Sequence, residues 1–220
     1  MSNDADDLSE QVEHRWSLVP AADGNMHLVD LNPLEIQTIE PMFNAESDVF
    51  YLLYTRSNPS GVRIGMNANG IRGTTFNAAH PTRFLIHGWL NNQTANINVL
   101  STEAYLRRGN FNVIVVDWGA GAQTINYITA RNRVNEVGIA VATFIDFMNL
   151  NGFISFNRLN VVGHSLGAHT AGIVGKRVTR GIIQTIFALD PAAPLFSINA
   201  PDSRVTPTDA GKRFIAKHSN

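Results

Sequence analysis

The chain has 220 residues, 44% of them apolar, and it carries 17 basic against 18 acidic side chains. This length and composition fit one domain with a sizeable core, and the near-neutral charge favours neither a nucleic-acid partner nor an anionic membrane. Cysteine is absent, which excludes disulfides and thiolate metal sites. No apolar run approaches the roughly 18 residues of a membrane-spanning helix, and the acidic start shows no secretion-signal pattern.

Residues 1–46 mix charged residues, turn formers and short apolar islands, and they predict an arm with little regular structure. Beyond the arm, short apolar runs predict strands at 49–56, 83–88, 112–118, 159–165 and 182–190, with a turn at 57–61. Helical spacing predicts helices at 95–108, capped by Thr94, and at 124–150 and 166–178. This alternation predicts an α/β domain over 47–220, with a mostly parallel sheet and helices on both faces.

The most informative motif is Gly163-His164-Ser165-Leu166-Gly167, between a predicted strand and a predicted helix. Such a strand–turn–helix context is typical of a nucleophile elbow, in which the serine backbone is strained and its hydroxyl stands free. Glycine is needed two positions before and after the serine because side chains there would collide with the neighbouring strand and helix. The N–H of Leu166, at the helix N-terminus, would face an oxyanion.

Asp190 closes the next predicted strand. Carboxyl ends of parallel strands meet at one rim of the sheet, so Asp190 is expected beside Ser165, where it would orient a catalytic histidine. The alternative is a structural aspartate in a turn before Pro191.

The segment His87-Gly88-Trp89 closes an earlier predicted strand. The Trp89 N–H would supply a second oxyanion donor beside that of Leu166. His87 precedes the nucleophile in the chain, whereas the base comes last in this fold, so His87 is interpreted as a structural hydrogen-bonding residue. Asp117, at another strand end, is also interpreted as structural.

Six stretches carry a family resemblance: VFYLLYTRSNP, RFLIHGWLNN, NVIVVDWGAGA, VVGHSLGAHTAGIVGK, IFALDPAAPLF and TPTDA. From Val49 to Ala210 the chain thereby resembles the pancreatic-type lipase family of α/β-hydrolases, which includes triacylglycerol lipases, phospholipases A1 and non-catalytic yolk proteins. The resemblance implies Ser165 as nucleophile, Asp190 as triad acid, and Trp89 and Leu166 as oxyanion residues. It also implies an acylglycerol or phospholipid substrate, contact with a lipid interface, secretion, and neither metal nor cofactor.

The catalytic histidine is not assigned. Only His169 and His218 follow Ser165. His169 is expected to point away along the elbow helix. The family's histidine comes later, beyond a further strand and a lid, so the chain is expected to be a C-terminally truncated form with a partial α/β-hydrolase domain over 47–220. His218 is either a recruited base or a frayed terminal residue.

Two functions therefore remain open, with a peptidase ranked behind them. The first is a carboxylic ester hydrolase that acts on lipids through an acyl-enzyme. The second is a catalytically incomplete lipase-like protein that binds or stores lipid.

Overall fold

The computed structural model describes residues 15–21, 25–32 and 42–216. Within these ranges the main sheet has seven strands: β3 (Phe50–Thr55), β4 (Asn58–Ile64), β5 (Thr82–Ile86), β6 (Asn112–Asp117), β7 (Leu159–His164), β8 (Thr185–Leu189) and β9 (Lys212–Ala216). Their order is β4-β3-β6-β5-β7-β8-β9. Strands β6, β5, β7, β8 and β9 run parallel, whereas β3 and β4 are antiparallel. The predicted α/β fold with a mostly parallel sheet is confirmed.

The helices among the described residues are α1 (Ala45–Asp48), α2 (Ala68–Arg72), α3 (Asn96–Arg108), α4 (Gly119–Ala122), α5 (Tyr127–Leu150) and α6 (Leu166–Arg177). Short 3₁₀ turns occur at Phe156–Arg158, Pro201–Ser203 and Pro207–Asp209. On one face of the sheet, α5 and α6 pack over the larger core, and on the other face α3 packs over a smaller cluster around Leu85, Val113, Val115 and Val162. The helices α5 and α6 approach closely because Gly138 has no side chain: a Cβ there would lie 2.5 Å from Ile173 Cγ2.

Three local features differ from the sequence-based expectations. The segment 57–61 is predicted as a turn only, but its residues 58–61 form the first half of β4, and this strand tolerates Pro59 because it lies at the sheet edge. Thr94 does not cap α3, because its N–H and hydroxyl both bind the Asn92 side chain and Ala95 takes the N-cap position.

The third difference lies in the predicted arm. Its described residues form a hairpin of β1 (Trp16–Pro20) and β2 (Met26–Asp30), where little regular structure was expected. Only Val19 and Val29 are buried in it, and both join the larger core. With one buried residue per strand, the hydrophobic alternation was too weak to identify the hairpin from the sequence.

Candidate active site

Ser165 lies in the sharp turn between β7 and α6, with φ 55° and ψ −121°. Both flanking glycines are required by backbone contacts. A Cβ on Gly163 would lie 2.0 Å from the Gly167 carbonyl oxygen, and a Cβ on Gly167 would lie 2.3 Å from the Ile86 carbonyl oxygen. The backbone is therefore held in a conformation that L-residues rarely adopt, as the motif predicts.

Asp190 and Ser165 extend from adjacent strand ends. His164 pairs with Leu189 across β7 and β8, and each of the two residues follows one member of that pair. The Ser165 N–H donates to the Leu189 carbonyl at 3.1 Å. Asp190 also has a positive φ, 43°, and its N–H donates to the Ala216 carbonyl in β9. Asp190 thus reaches the same rim as the serine, where the sequence predicts it.

The loop after β5 passes directly over the serine. A Cβ on Gly88 would lie 2.8 Å from Ser165 Cβ. The Trp89 side chain is buried, its indole N–H donates to the Thr124 carbonyl at 2.7 Å, and its ring meets Tyr127 edge-on. Among the described residues, no hydrogen bond occupies the backbone N–H of Trp89 or of Leu166. Two free donors therefore flank the serine.

His87 holds this loop against the loop after β6. Its ring is fully buried and stacks on Trp118. The Trp118 N–H donates to His87 Nε2 at 3.1 Å, which places the ring proton on Nδ1, 3.0 Å from the Gly88 carbonyl oxygen. The Trp118 indole N–H returns a bond to the His87 carbonyl at 2.8 Å. Because both ring nitrogens are engaged, His87 has the structural role expected from the sequence.

Asp117 also helps to hold the loop after β5 against the loop after β6. Its carboxylate accepts the Gly119 N–H at 2.9 Å and lies 3.4 Å from His87 Nε2. Burial alone would raise the pKa of Asp117, but the adjacent His87 ring and hydrogen bonds from backbone N–H groups outweigh it and lower the pKa below its ordinary value. The geometry matches the structural interpretation of Asp117.

His169, one helical turn after Ser165, secures the loop that follows Asp190. Its Nε2 lies 2.7 Å from the Ala192 carbonyl oxygen, its Nδ1 accepts the Val205 N–H, and its ring stacks on Phe196 at 3.6 Å. Burial lowers the pKa of His169 to about 4, so the ring is neutral near pH 7. Both ring nitrogens of His169 thus bond to the segment that follows Asp190 and not to the serine hydroxyl. This bonding was not apparent from the sequence.

The structure does not supply a catalytic base among the described residues. Within 15–21, 25–32 and 42–216, no histidine nitrogen is hydrogen-bonded to the Ser165 hydroxyl. His164, next to the serine, is partly buried, and this burial lowers its pKa although Asp190 opposes the shift. His218 lies outside the described residues, so its role as a base stays a prediction. Nor do the described histidines and carboxylates form any cluster of three suited to a metal ion.

Tyr127 is a site residue that the sequence did not reveal. It begins α5, is buried, and touches Trp89 with its ring while its hydroxyl donates to the Pro194 carbonyl at 3.2 Å. One side chain thereby joins the loop after β5 to the loop after Asp190. Its position as the first residue of a long helix carried no distinguishing signal.

A strained serine at a strand–turn–helix elbow, on a mostly parallel sheet, defines an α/β-hydrolase. The family comparison is more specific. Residues 23–215 match the sequence profile of the family described as Lipase. The chain belongs to this family, the group of the pancreatic-type lipases.

Individual relatives agree with this membership. Pancreatic triacylglycerol lipase of Mus musculus is 36% identical over 77% of this chain, and that of Homo sapiens is 33% identical over 84%. Lipase member H of Oryctolagus cuniculus is 37% identical over 75% of this chain. The chain spans only 36%, 37% and 36% of the lengths of these three proteins, respectively.

Solved structures of low sequence identity also align with the chain. A phospholipase/carboxylesterase from Dyadobacter fermentans aligns over 81% of this chain and 91% of its own, at 11% identity and a TM-score of 0.45. The esterase Est1E from Butyrivibrio proteoclasticus aligns over 65% of this chain and 46% of its own, at 12% identity and a TM-score of 0.41.

Proposed function

We propose that this chain carries the nucleophile, the acid and the oxyanion donors of a serine-dependent lipid ester hydrolase. The observation that carries the proposal is the backbone of Ser165, whose φ of 55° is held by contacts at Gly163 and Gly167. Strain of this kind is maintained at sites that use it, and here it places one hydroxyl at a helix N-terminus. Membership in the lipase family supports the same chemistry.

In this reaction the Ser165 hydroxyl oxygen attacks the ester carbonyl carbon while a histidine takes its proton. The oxyanion accepts hydrogen bonds from the N–H groups of Trp89 and Leu166. The histidine returns the proton to the leaving alcohol, and water then releases the acyl group by the same steps in reverse order. Asp190 orients the histidine and stabilises the imidazolium. The proposed base is a histidine outside the described residues, and His218 is the candidate within this chain.

The proposed substrates are acylglycerols or phospholipids. The names of the relatives, pancreatic triacylglycerol lipase and lipase member H, support lipid esters as a class without choosing between these two. By the same family resemblance we propose an extracellular location. The described helices include none long and apolar enough to cross a membrane.

A fluorophosphonate probe tests the nucleophile directly, because it reacts with an activated serine and with little else. We expect stoichiometric labelling of the native chain, complete loss of labelling in Ser165→Ala, and unchanged labelling in the control Ser203→Ala. Hydrolysis of a soluble short-chain ester is followed in the same samples. It shows whether a serine that reacts with the probe also completes the catalytic cycle.

The second candidate is a catalytically incomplete lipase-like protein that binds lipid without turnover. It is favoured by the missing hydrogen bond between any described histidine and the Ser165 hydroxyl. No labelling and no hydrolysis by the native chain would contradict the hydrolase and favour this candidate. Hydrolysis that is lost in His218→Ala would identify the base instead.

A further inference from the structure

The side chain of Trp89 connects the N-terminal hairpin to the loop that passes over Ser165. It is only 2% exposed, and three separate segments of the chain contact it. The indole N–H donates to the Thr124 carbonyl at 2.7 Å, and Tyr127 meets the ring edge-on with 5.2 Å between the centroids. The third contact is His27 of β2, whose ring meets Trp89 at 5.6 Å and an interplanar angle of 73°.

The backbone on both sides of Trp89 is held in place. Gly88 passes so close to the serine that a Cβ on it would lie 2.8 Å from Ser165 Cβ. Leu90 has a positive φ of 53°, and its N–H donates to the Ala122 carbonyl at 3.0 Å. Because both neighbours are held, the freedom that remains to the Trp89 backbone N–H depends on the orientation of Trp89 itself, which its ring contacts determine.

The hairpin presents His27 from a fixed position. His27 pairs directly with Val19 of β1, and directly opposite residues of an antiparallel pair share a face. Val19 is buried in the same core cluster as Trp89, so His27 is turned towards this core. At one end of the hairpin, Arg15 Nε and Nη2 donate to the Asp30 carboxylate at 3.1 and 2.8 Å. The buried valine and the ion pair therefore fix the strand that carries His27.

The contact between His27 and Trp89 is directional. Aromatic rings attract one another edge-on because the positive edge of one ring meets the negative face of the other, and this attraction weakens when either ring turns. The His27 ring therefore opposes rotation of the Trp89 side chain. The Thr124 carbonyl opposes the same rotation through the indole N–H.

We infer that the N-terminal hairpin is part of the proposed active site, with His27 as a positioning residue that keeps the Trp89 backbone N–H directed at the oxyanion. His27 acts through Trp89 and does not touch the substrate. The inference rests on the proposed function, in which Trp89 is an oxyanion donor. The hairpin precedes Val49, where the six stretches that carry the family resemblance begin, so the resemblance does not imply this role.

The kinetics of fluorophosphonate labelling in the full chain test the role of the His27 ring. The phosphoryl oxygen of the probe takes the position of the oxyanion, so its reaction rate depends on the Trp89 N–H. His27→Ala removes the ring contact, and we expect the labelling rate constant at saturating probe to fall about fivefold. His27→Phe keeps an aromatic edge against Trp89 and should restore this rate constant to within about twofold of the native value.

Two controls separate positioning from general stability. Leu28→Ala changes the next residue of the same strand, whose side chain is 63% exposed, and it should label as the native chain does. The final extent of labelling counts the folded chains in each sample. A purely structural role of His27 would lower this extent, whereas a positioning role lowers the rate constant and leaves the extent unchanged. The probe concentration that gives half of the maximal rate should also stay unchanged.

A second measurement does not depend on labelling. The chain has three tryptophans, so nitrogen-15 labelling of tryptophan gives three backbone amide signals, and the Trp89 signal is identified by its loss in Trp89→Phe. In His27→Ala we expect the order parameter of the Trp89 amide to fall below the value of about 0.85 that is typical of rigid backbone. His27→Phe and Leu28→Ala should keep the native value, and the Trp118 amide should not change in any of these three variants.

The outcomes distinguish the inference from the proposed function. Loss of order at Trp89 in His27→Ala, in a chain whose native form is not labelled, would support the positioning role and contradict the hydrolase. Labelling of the native chain with an unchanged rate constant or an unchanged Trp89 amide in His27→Ala would support the hydrolase and overturn the positioning role. An unchanged Trp89 amide overturns it in an unlabelled chain as well. Failure of His27→Phe to restore the native behaviour also overturns it, because His27 would then act through its nitrogens.

Discussion

Backbone strain is concentrated at the residues that carry the proposed chemistry. Among the described residues, only Leu90, Ser165, Asp190 and Leu195 combine a side chain with a positive φ. Two of the four are the proposed nucleophile and acid, and Leu90 directly follows Trp89. Each such residue costs on the order of 1–3 kcal/mol and persists because its surroundings over-determine it. The folding of the sheet therefore offsets this cost at the site.

Gly167→Ala should be strongly destabilising. Its Cβ would lie 2.3 Å from the Ile86 carbonyl oxygen and 2.5 Å from that of His87, and neither backbone atom can give way cheaply. We expect the free energy of unfolding to fall by about 2–3 kcal/mol in urea titrations. Gly65→Ala is the matched control, because nothing lies within 4 Å of its Cβ position, and it should change stability by less than about 1 kcal/mol. Equal effects at both glycines would contradict the steric explanation.

Ser165→Gly should be more stable than Ser165→Ala. Both variants remove the hydroxyl, but only glycine relieves the strain at φ 55°. We expect the glycine variant to unfold with a free energy about 1 kcal/mol higher than the alanine variant, and neither to react with a fluorophosphonate. The denaturant midpoints of the two variants, measured under the same conditions, test this difference. A glycine variant no more stable than the alanine variant would show that the strain is absent in solution.

At this scale the sequence predicted the geometry of the elbow, and the catalytic roles of its residues stay predictions. Two glycines around a serine, between an apolar run and a helical stretch, specify the elbow because its steric demands act over a few residues. The bonding of His169 and Tyr127 to the loops could not be predicted, because their partners Ala192, Val205 and Pro194 lie 23, 36 and 67 residues away in the chain.

Helix α6 organises the acid side of the site. Its first turn presents Ser165 and the free N–H of Leu166, its second turn holds the Asp190 loop through His169, and its last turn contacts Asp209 through Lys176. Asp209 also accepts the Thr206 N–H at 2.6 Å, which fixes the segment leading into β9. One helix thereby links the nucleophile, the acid loop and the neighbouring strand.

Protonation of His169 should destabilise the fold in mild acid. Burial lowers the pKa of His169 from 6.5 to about 4. Between pH 6.5 and 4 the unfolded chain therefore binds a proton at this ring that the folded chain does not bind. Stability is therefore complete above about pH 6.5 and falls as the pH drops towards 4, by at most about 3 kcal/mol. Arg204 and Arg131 add to the penalty by lowering the pKa further.

Urea unfolding at about pH 7, 5.5 and 4.5 measures this dependence. His169→Gln removes the titrating group, so its free energy of unfolding should fall visibly less than that of the native chain over the same pH range. The carboxylates contribute equally to both proteins and drop out of the comparison. If the free energy of unfolding depends on pH in the same way in both proteins, His169 is not the source of the acid destabilisation.

Element prediction succeeded where hydrophobic periodicity was strong and failed where position within the sheet decided the outcome. The buried runs at β5, β6, β7 and β8 are continuous and apolar, as parallel strands require. Strand β4 contains Pro59 and Gly61 and is only possible at an edge, a fact that the local sequence does not contain. Thr94 failed as a cap because Asn92 competes for it.

At the scale of the whole molecule, the described helices cover the two faces of the sheet unequally. Helices α5 and α6 cover one face, whereas α3 lies over β5 and β6 on the other. On that second face Phe187 and Phe214 stack at 5.2 Å, and Phe214 in the edge strand β9 is 54% exposed. Within residues 42–216 an apolar surface is therefore left uncovered at one side of the sheet.

The native chain should consequently bind the dye anilinonaphthalene sulfonate without denaturant, and Phe214→Thr should reduce the fluorescence by about half or more. Ile182→Thr, which removes an apolar side chain that is 72% exposed before β8, is the matched control and should change the fluorescence little. Dye binding that is equal in the native chain and in Phe214→Thr would show that this face is not the open surface. The overall architecture was predictable because the strand–helix alternation fixes it, whereas the uneven covering depends on where each helix packs.

The junction of strained strand ends has a practical consequence. Ser165 keeps its strained conformation only while β5, β7 and β8 hold the turn, since its N–H bonds to Leu189 and Gly88 lies against it. An unfolded chain would carry an ordinary, unreactive serine at the same position. If the proposed nucleophile is correct, the rate of phosphonylation serves as a chemical gauge of the native fraction, readable on a gel in crude extracts where spectroscopy fails.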